Sequence, residues 1–195
     1  MNYHINRIQL GSNLLHARSG ALANTLSTGI HILDPEEWVR RNYEVWCHYW
    51  HMSQVVKYDP THGWIIDEAT GEGSRQIPLS EVKGRIYLAN WIPRPLTEEE
   101  CERFVTFYKN CRYDYAAYIW TTANRLSRGF IPRIMDNRQM CWERNADFNG
   151  FFGYPWCQPN EMPYMPLFVL RYIQQYNTLP LEINTKDVNF LGGRP

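Results

Sequence analysis

The feature that most constrains this chain is a run of aromatic and β-branched residues closed by a strong turn. Residues 44–58, EVWCHYWHMSQVVKY, read as one long strand. Asp59-Pro60-Thr61-His62-Gly63 then punctuates the chain with both Pro and Gly. Trp64-Ile65-Ile66-Asp67-Glu68-Ala69 reads as the returning strand, so the two segments predict a hairpin. The antiparallel hairpin is the frame on which the other elements are placed.

Before it, a turn at Gly11 leads into a short strand over 14–17, and residues 19–30 carry helical spacing at Leu22, Leu26 and Ile30. After it, residues 85–92 read as a further strand. Thr97 with Glu100 makes a capping box, and acids fill the first turn of the helix it opens. Cys101, Phe104, Val105 and Tyr108 form that helix's apolar stripe, which makes Cys101 a packing residue. Further helices are expected over 115–126, from Cys141 to about residue 152, and over 167–176. Residues 155–166 are Pro-rich and read as a wrapping loop, and the tail from about 180 as extended chain. Strands come first and helices last. That order predicts an α+β fold, a small antiparallel sheet packed against helices, rather than βαβ alternation.

The length, 195 residues, fits one domain spanning 1–195, and a 44% hydrophobic composition supplies its core. Lys+Arg and Asp+Glu both total 20, so no charge imbalance argues for nucleic acid or another polyanion. No apolar run has the length of a transmembrane segment, and the N-terminus lacks the basic-then-apolar layout of a signal peptide. The five cysteines are odd in number and include no CxxC pair, which argues against a disulfide framework and a structural zinc site. Reduced thiols in a cytoplasmic or virion setting are expected, with no cofactor. A metal site of Cys47, His48 and His51 is disfavoured, because strand alternation sends the two imidazoles to opposite faces.

A thiol hydrolase needs a thiolate, a base for the thiol proton, and a group that orients the base. Cys141 meets the first need. It follows the loop IPRIMDNRQM and precedes the helix-like CWERNADFNGFF, and a helix N-terminus favours the thiolate. His51 lies in the first hairpin strand, sharing a face with Ser53 and Val55, and Glu68 lies in the second, where a carboxylate can hold the imidazole tautomer. Glu72 competes with Glu68 for that role, and Glu143 is either a supporting acid or a solvated helix residue. His62 reads as an exposed turn residue, and His4, His16 and His31 show no acid or thiol partner.

The order His, then Glu, then Cys resembles the circularly permuted papain-like hydrolases of the NlpC/P60 superfamily, the YiiX-like group. Four segments carry the likeness: Leu10-Gly11-Ser12-Asn13-Leu14-Leu15, Trp50-His51-Met52-Ser53-Gln54-Val55-Val56, Ile66-Asp67-Glu68-Ala69-Thr70-Gly71-Glu72-Gly73, and Met140-Cys141-Trp142-Glu143. A Tyr113-Asp114 step resembles one that precedes the nucleophile segment in that group. Trp142 departs from the small residue usual after the cysteine. A second register aligns the family's Ser-His step on Ser53-Gln54, which would put glutamine at the base position. The His51 register needs only a longer hairpin loop, which residues 59–63 supply.

The resemblance implies hydrolysis of an amide or ester through an acyl-cysteine, with Cys141, His51 and Glu68 as catalytic residues. It implies a peptide, peptidoglycan or acylated small-molecule substrate. Trp50, Trp142 and Tyr113 are the expected substrate contacts, and the other tryptophans line either a groove or the core. Two alternatives stay open: an inactive structural or binding module of the same fold, such as a phage virion component, and a lipid acyltransferase or esterase. Assembly as a homo-oligomer or into a virion also stays open.

Overall fold

The computed structural model describes residues 7–17, 24, 28, 31–32, 37–109, 111–113, 123, 127, 138–157 and 163–184. The expected helices over 19–30 and 115–126 fall mainly outside them. Among the described residues the fold is α+β, with a six-stranded antiparallel sheet and five α-helices. The sheet is built from β1 (Asn13–Ala17), β2 (Tyr49–Asp59), β3 (Gly63–Thr70), β4 (Gly73–Pro78), β5 (Ile86–Ala89) and β8 (Leu181–Ile183). Its order is β4-β3-β2-β1-β5-β8. The hairpin is β2–β3, closed with Asp59 opposite Gly63. In its turn, Asp59 Oδ1 accepts from the Thr61 and His62 N–H groups. β4 follows immediately through a second tight turn that the sequence reading passed over. Two short strands, β6 (Arg112–Tyr113) and β7 (Arg138–Gln139), pair in parallel apart from the main sheet.

Consecutive residues of β1 feed different cores. Leu15 packs with Met52, Tyr87 and Ala89, whereas Leu14 packs with Val55, Ile66 and Leu88. Both leucines are fully buried, so the sheet is covered on both faces.

The helices are α1 (Glu37–Arg41), α2 (Tyr43–Trp46), α3 (Glu98–Phe107), α4 (Cys141–Phe151) and α5 (Met165–Tyr176). α2 corrects the expectation of one strand over 44–58. Its residues have strand propensity, but Trp46 is buried and donates from Nε1 to the Val39 carbonyl at 2.8 Å. Tertiary packing overrides local preference there. His48 consequently lies in an exposed turn before β2 and has no alternating relation to His51.

α3 carries the expected capping box, with Glu100 N–H donating to Thr97 Oγ1 and Thr97 N–H to the Glu100 carboxylate. Cys101 on this helix is fully buried, as its stripe position predicts. α5 starts with Pro in its first turn and ends at Asn177, whose φ of 52° is the left-handed geometry that terminates helices. No described helix is long and apolar enough to cross a membrane.

Candidate active site

His51 and Glu68 sit near the start of β2 and the end of β3. Glu68 is directly opposite Ser53, two residues along from His51, so period-2 alternation puts the acid and the imidazole on one side. His51 Nε2 is 2.7 Å from Glu68 Oε2. The other carboxylate oxygen, Oε1, accepts from Arg75 Nε at 2.7 Å, and Arg75 reaches it from the directly opposed position on β4. Glu68 is thus held at both oxygens. Glu72 is exposed in the β3–β4 turn and takes no part.

A backbone irregularity lies beside His51. His16 pairs with His51 but Ala17 with Tyr49, which leaves Trp50 as an extra residue on β2. Bulges of this kind re-aim neighbouring side chains. The Trp50 carbonyl accepts from Trp142 Nε1 at 3.1 Å, tying this point of β2 to the residue after Cys141.

Cys141 is the first residue of α4. Glu143 accepts from the Met140 N–H at 3.0 Å and is itself buried, so it caps this N-terminus rather than lying on a solvated face. The Cys141 side chain lies close enough to the His51 ring to raise its pKa. With Nε2 given to Glu68, the remaining ring nitrogen, Nδ1, is the one left for the thiol. Burial by itself would push the His51 imidazole down. The Cys141 sulfur and the Glu68 carboxylate overcome that and raise it to about 10. Burial would raise Glu68, but His51 and Arg75 together hold it down at about 2. His51 is therefore a cation at neutral pH, set between the Glu68 carboxylate and the Cys141 side chain. Its side chain is 22% exposed, whereas Cys141 is 1% exposed.

Gln54, the alternative base, is fully buried on β2 opposite Asn13 and Asp67, and alternation directs it away from the side that carries His51 and Glu68. Trp142 is a core residue at 2% exposure, its ring edge-on to Trp50 at 6.0 Å. It belongs to the same buried cluster as Cys141, so the expected substrate contact falls on a core side chain. Trp46, Trp64, Trp91 and Trp156 are likewise buried, and Trp50 is half-buried. Tyr113 lies on β6 opposite Gln139, two residues before Cys141, so its backbone flanks the nucleophile segment.

Sequence reasoning missed His16. It is the direct β1 partner of His51, with ring centroids 4.9 Å apart, and its Nε2 hydrogen bonds Ser53 Oγ at 2.7 Å. Alternation within 14–17 places His16 on the side of Leu14, but nothing in the sequence sets the register that brings it to His51. The same holds for the buried pair in which Arg144 Nε donates to Asp67 Oδ2 at 2.6 Å. It joins α4 to β3 three residues after Cys141.

No protein-family model matches this chain, and no curated protein matches it.

Proposed function

We propose that the chain is a thiol hydrolase with Cys141 as nucleophile, His51 as acid–base and Glu68 as the residue that orients His51. One observation carries the reading: a single imidazole stands between a carboxylate at 2.7 Å and a thiol at a helix start. A strand-borne base that precedes a helix-borne nucleophile is the permuted papain-like arrangement, and the α+β architecture is compatible with it.

The chemistry follows from the positions. Cys141 Sγ attacks an acyl carbonyl while its proton resides on His51. The oxyanion meets backbone N–H at the start of α4. Collapse breaks the C–N or C–O bond, and His51 hands its proton to the leaving amine or alcohol. Water then attacks the thioester and gives a proton to His51, releasing the acid and regenerating Cys141. Glu68 keeps the ring turned toward sulfur throughout. Peptide or peptidoglycan amides are the substrates this reading favours.

The test is site-resolved labelling of the folded protein with iodoacetamide, read by peptide mass spectrometry. Cys141 is buried, whereas Cys111 and Cys157 are partly exposed. Exposure alone predicts that those two react first. The proposal predicts that Cys141 does, and that His51→Ala removes its lead. Slow, similar labelling of all five cysteines would sink it.

The burial of Cys141 favours a second reading, a structural module that keeps the geometry without turnover. Stable stoichiometric incorporation into a particle, together with an unreactive Cys141, would select that reading.

A further inference from the structure

We propose that His16, His51 and Glu68 bind one zinc-class divalent ion, and that the bound ion withdraws His51 from Cys141. The binding half stands on geometry alone. The second half rests on the thiol hydrolase reading.

One ligand atom from each of the three residues lies within 4.8 Å of the other two. Donors ~2.1 Å from a tetrahedral zinc stand about 3.4 Å apart, so modest side-chain rotation closes the site. Two imidazoles and one carboxylate suit zinc, cobalt or nickel rather than magnesium or calcium, which prefer oxygen cages. Three protein ligands leave a fourth position for water or for the nearby Cys141 sulfur.

The ligand positions are pre-formed, and the ion displaces to solvent the proton that His51 holds against Glu68. The ligands come from three adjacent strands, with His16 directly opposite His51 and Glu68 directly opposite Ser53. Outer partners orient two of the three: Ser53 Oγ holds the His16 ring, and Arg75 holds Glu68 Oε1 so that Oε2 faces the imidazole. Such outer contacts fix ligand direction in metal sites. His51 gives the ion a route from solvent, being 22% exposed.

A second cluster, Glu44, Cys47 and His48, meets the same distance criterion at the end of α2. Glu44 and His48 are exposed there and make up one short surface turn, so it serves as the internal control.

The experiment is titration of the full chain with cobalt(II), followed by visible absorption, and then displacement by zinc. One tetrahedral cobalt per chain is expected. His16→Ala and Glu68→Gln should each weaken binding roughly tenfold or more, a loss at least as large as outer-partner changes produce. The Cys47→Ser/His48→Ala double variant should bind as the parent does. Unchanged binding in His16→Ala, or loss in the double variant, overturns the site.

A measurement on the unsubstituted protein covers variants that fail to fold. Saturating zinc should slow iodoacetamide labelling at Cys141 and leave Cys111 unchanged. Slowing at Cys47 instead overturns the proposal, as does no slowing at Cys141. The cobalt spectrum needs no enzymatic activity. A failed hydrolase reading would therefore leave the spectrum intact, and a failed metal site would leave rapid Cys141 labelling intact.

Discussion

His16 and His51 are register partners on β1 and β2, their rings 4.9 Å apart and inclined at 70°, and their surroundings drive them to opposite charge states. Burial pushes His16 down to about 3, and the positive charge of His51 pushes the same way. Cys141 and Glu68 raise His51 to about 10 against its own burial. Two like groups with diverging ionisation mark a division of labour. Here the neutral ring braces the charged one.

That divergence predicts how stability varies with pH. His51 binds its proton more tightly folded than unfolded, so its contribution is complete below pH 6.5 and fades as pH rises toward 10. His16 has the opposite sign: its contribution is complete above pH 6.5 and fades as pH falls toward 3. Glu68 contributes fully above pH 4.5 and fades as pH falls toward 2. These three groups place their joint maximum near pH 6.5. Each proton is worth about 1.4 kcal/mol per pH unit. Urea unfolding across this range should therefore show one-proton slopes on both sides of the maximum, steepening below pH 4.5. In His16→Gln the slope between pH 4.5 and 6.5 should flatten. A parent profile that is level between pH 5 and 9 would contradict the assignment.

Glu68→Gln keeps the shape of the His51 contact and removes its charge. The imidazole should then titrate lower, moving from about 10 toward its ordinary 6.5. On the proposed mechanism, kcat/KM should fall by roughly 10²-fold, the scale of a lost acid–base partner. NMR titration of the His51 ring reads the first effect without any substrate. Should the ring titrate unchanged in the variant, Glu68 does not govern it.

Asp67 and Arg144 form a buried ion pair between β3 and α4, with side chains 0% and 1% exposed. Arg144 also lies over the Phe104 ring at 5.3 Å, which links α3 to the same point. Removing one partner strands a buried charge, so Asp67→Asn or Arg144→Met should cost about 3–5 kcal/mol in urea unfolding. The double change Asp67→Leu/Arg144→Met should recover much of that, because apolar replacement of both partners is near neutral. If the single losses simply add, the pair is not coupled. The pair positions the helix that starts at Cys141, so labelling at Cys141 should slow in either single variant.

What the sequence made legible was local. The hairpin could be read because residues 59–63 carry a turn signal between two apolar runs, and its strands then put Glu68 near His51. The start of α4 at Cys141 could be read from the loop before it. What stayed hidden depends on register or on distant contacts. His16 meets Ser53 across 37 residues, and Asp67 meets Arg144 across 77. The residues of α2 look like strand because aromatic side chains suit a pleated surface. Only the burial of Trp46 and its bond to Val39 reveal the helical turn. Trp142 is an expected substrate contact only through the family resemblance. Its indole instead bonds back to Trp50.

Gly11 supports the last prediction, at the turn that feeds β1. Its φ is +89°, and a Cβ built there would stand 2.8 Å from Leu96 Cγ. The backbones on both sides are held. Gly11 N–H donates to the Val55 carbonyl at 2.8 Å, and Leu96 N–H to the Leu10 carbonyl at 2.9 Å. Leu96 is buried with Phe104 and Ile92. Gly11→Ala therefore combines an unfavourable left-handed backbone with overpacking, and should cost about 2–3 kcal/mol. Gly84 provides the contrast. Its φ is +94° with no atom within 4 Å of an added Cβ, so Gly84→Ala should cost only about 1–2 kcal/mol, from the backbone alone. Adding Leu96→Ala to Gly11→Ala separates the two contributions: relieving the clash should make the pair less destabilising than the sum of the single changes. Strict additivity in urea unfolding would mean that the Gly11–Leu96 contact is not what excludes a side chain there.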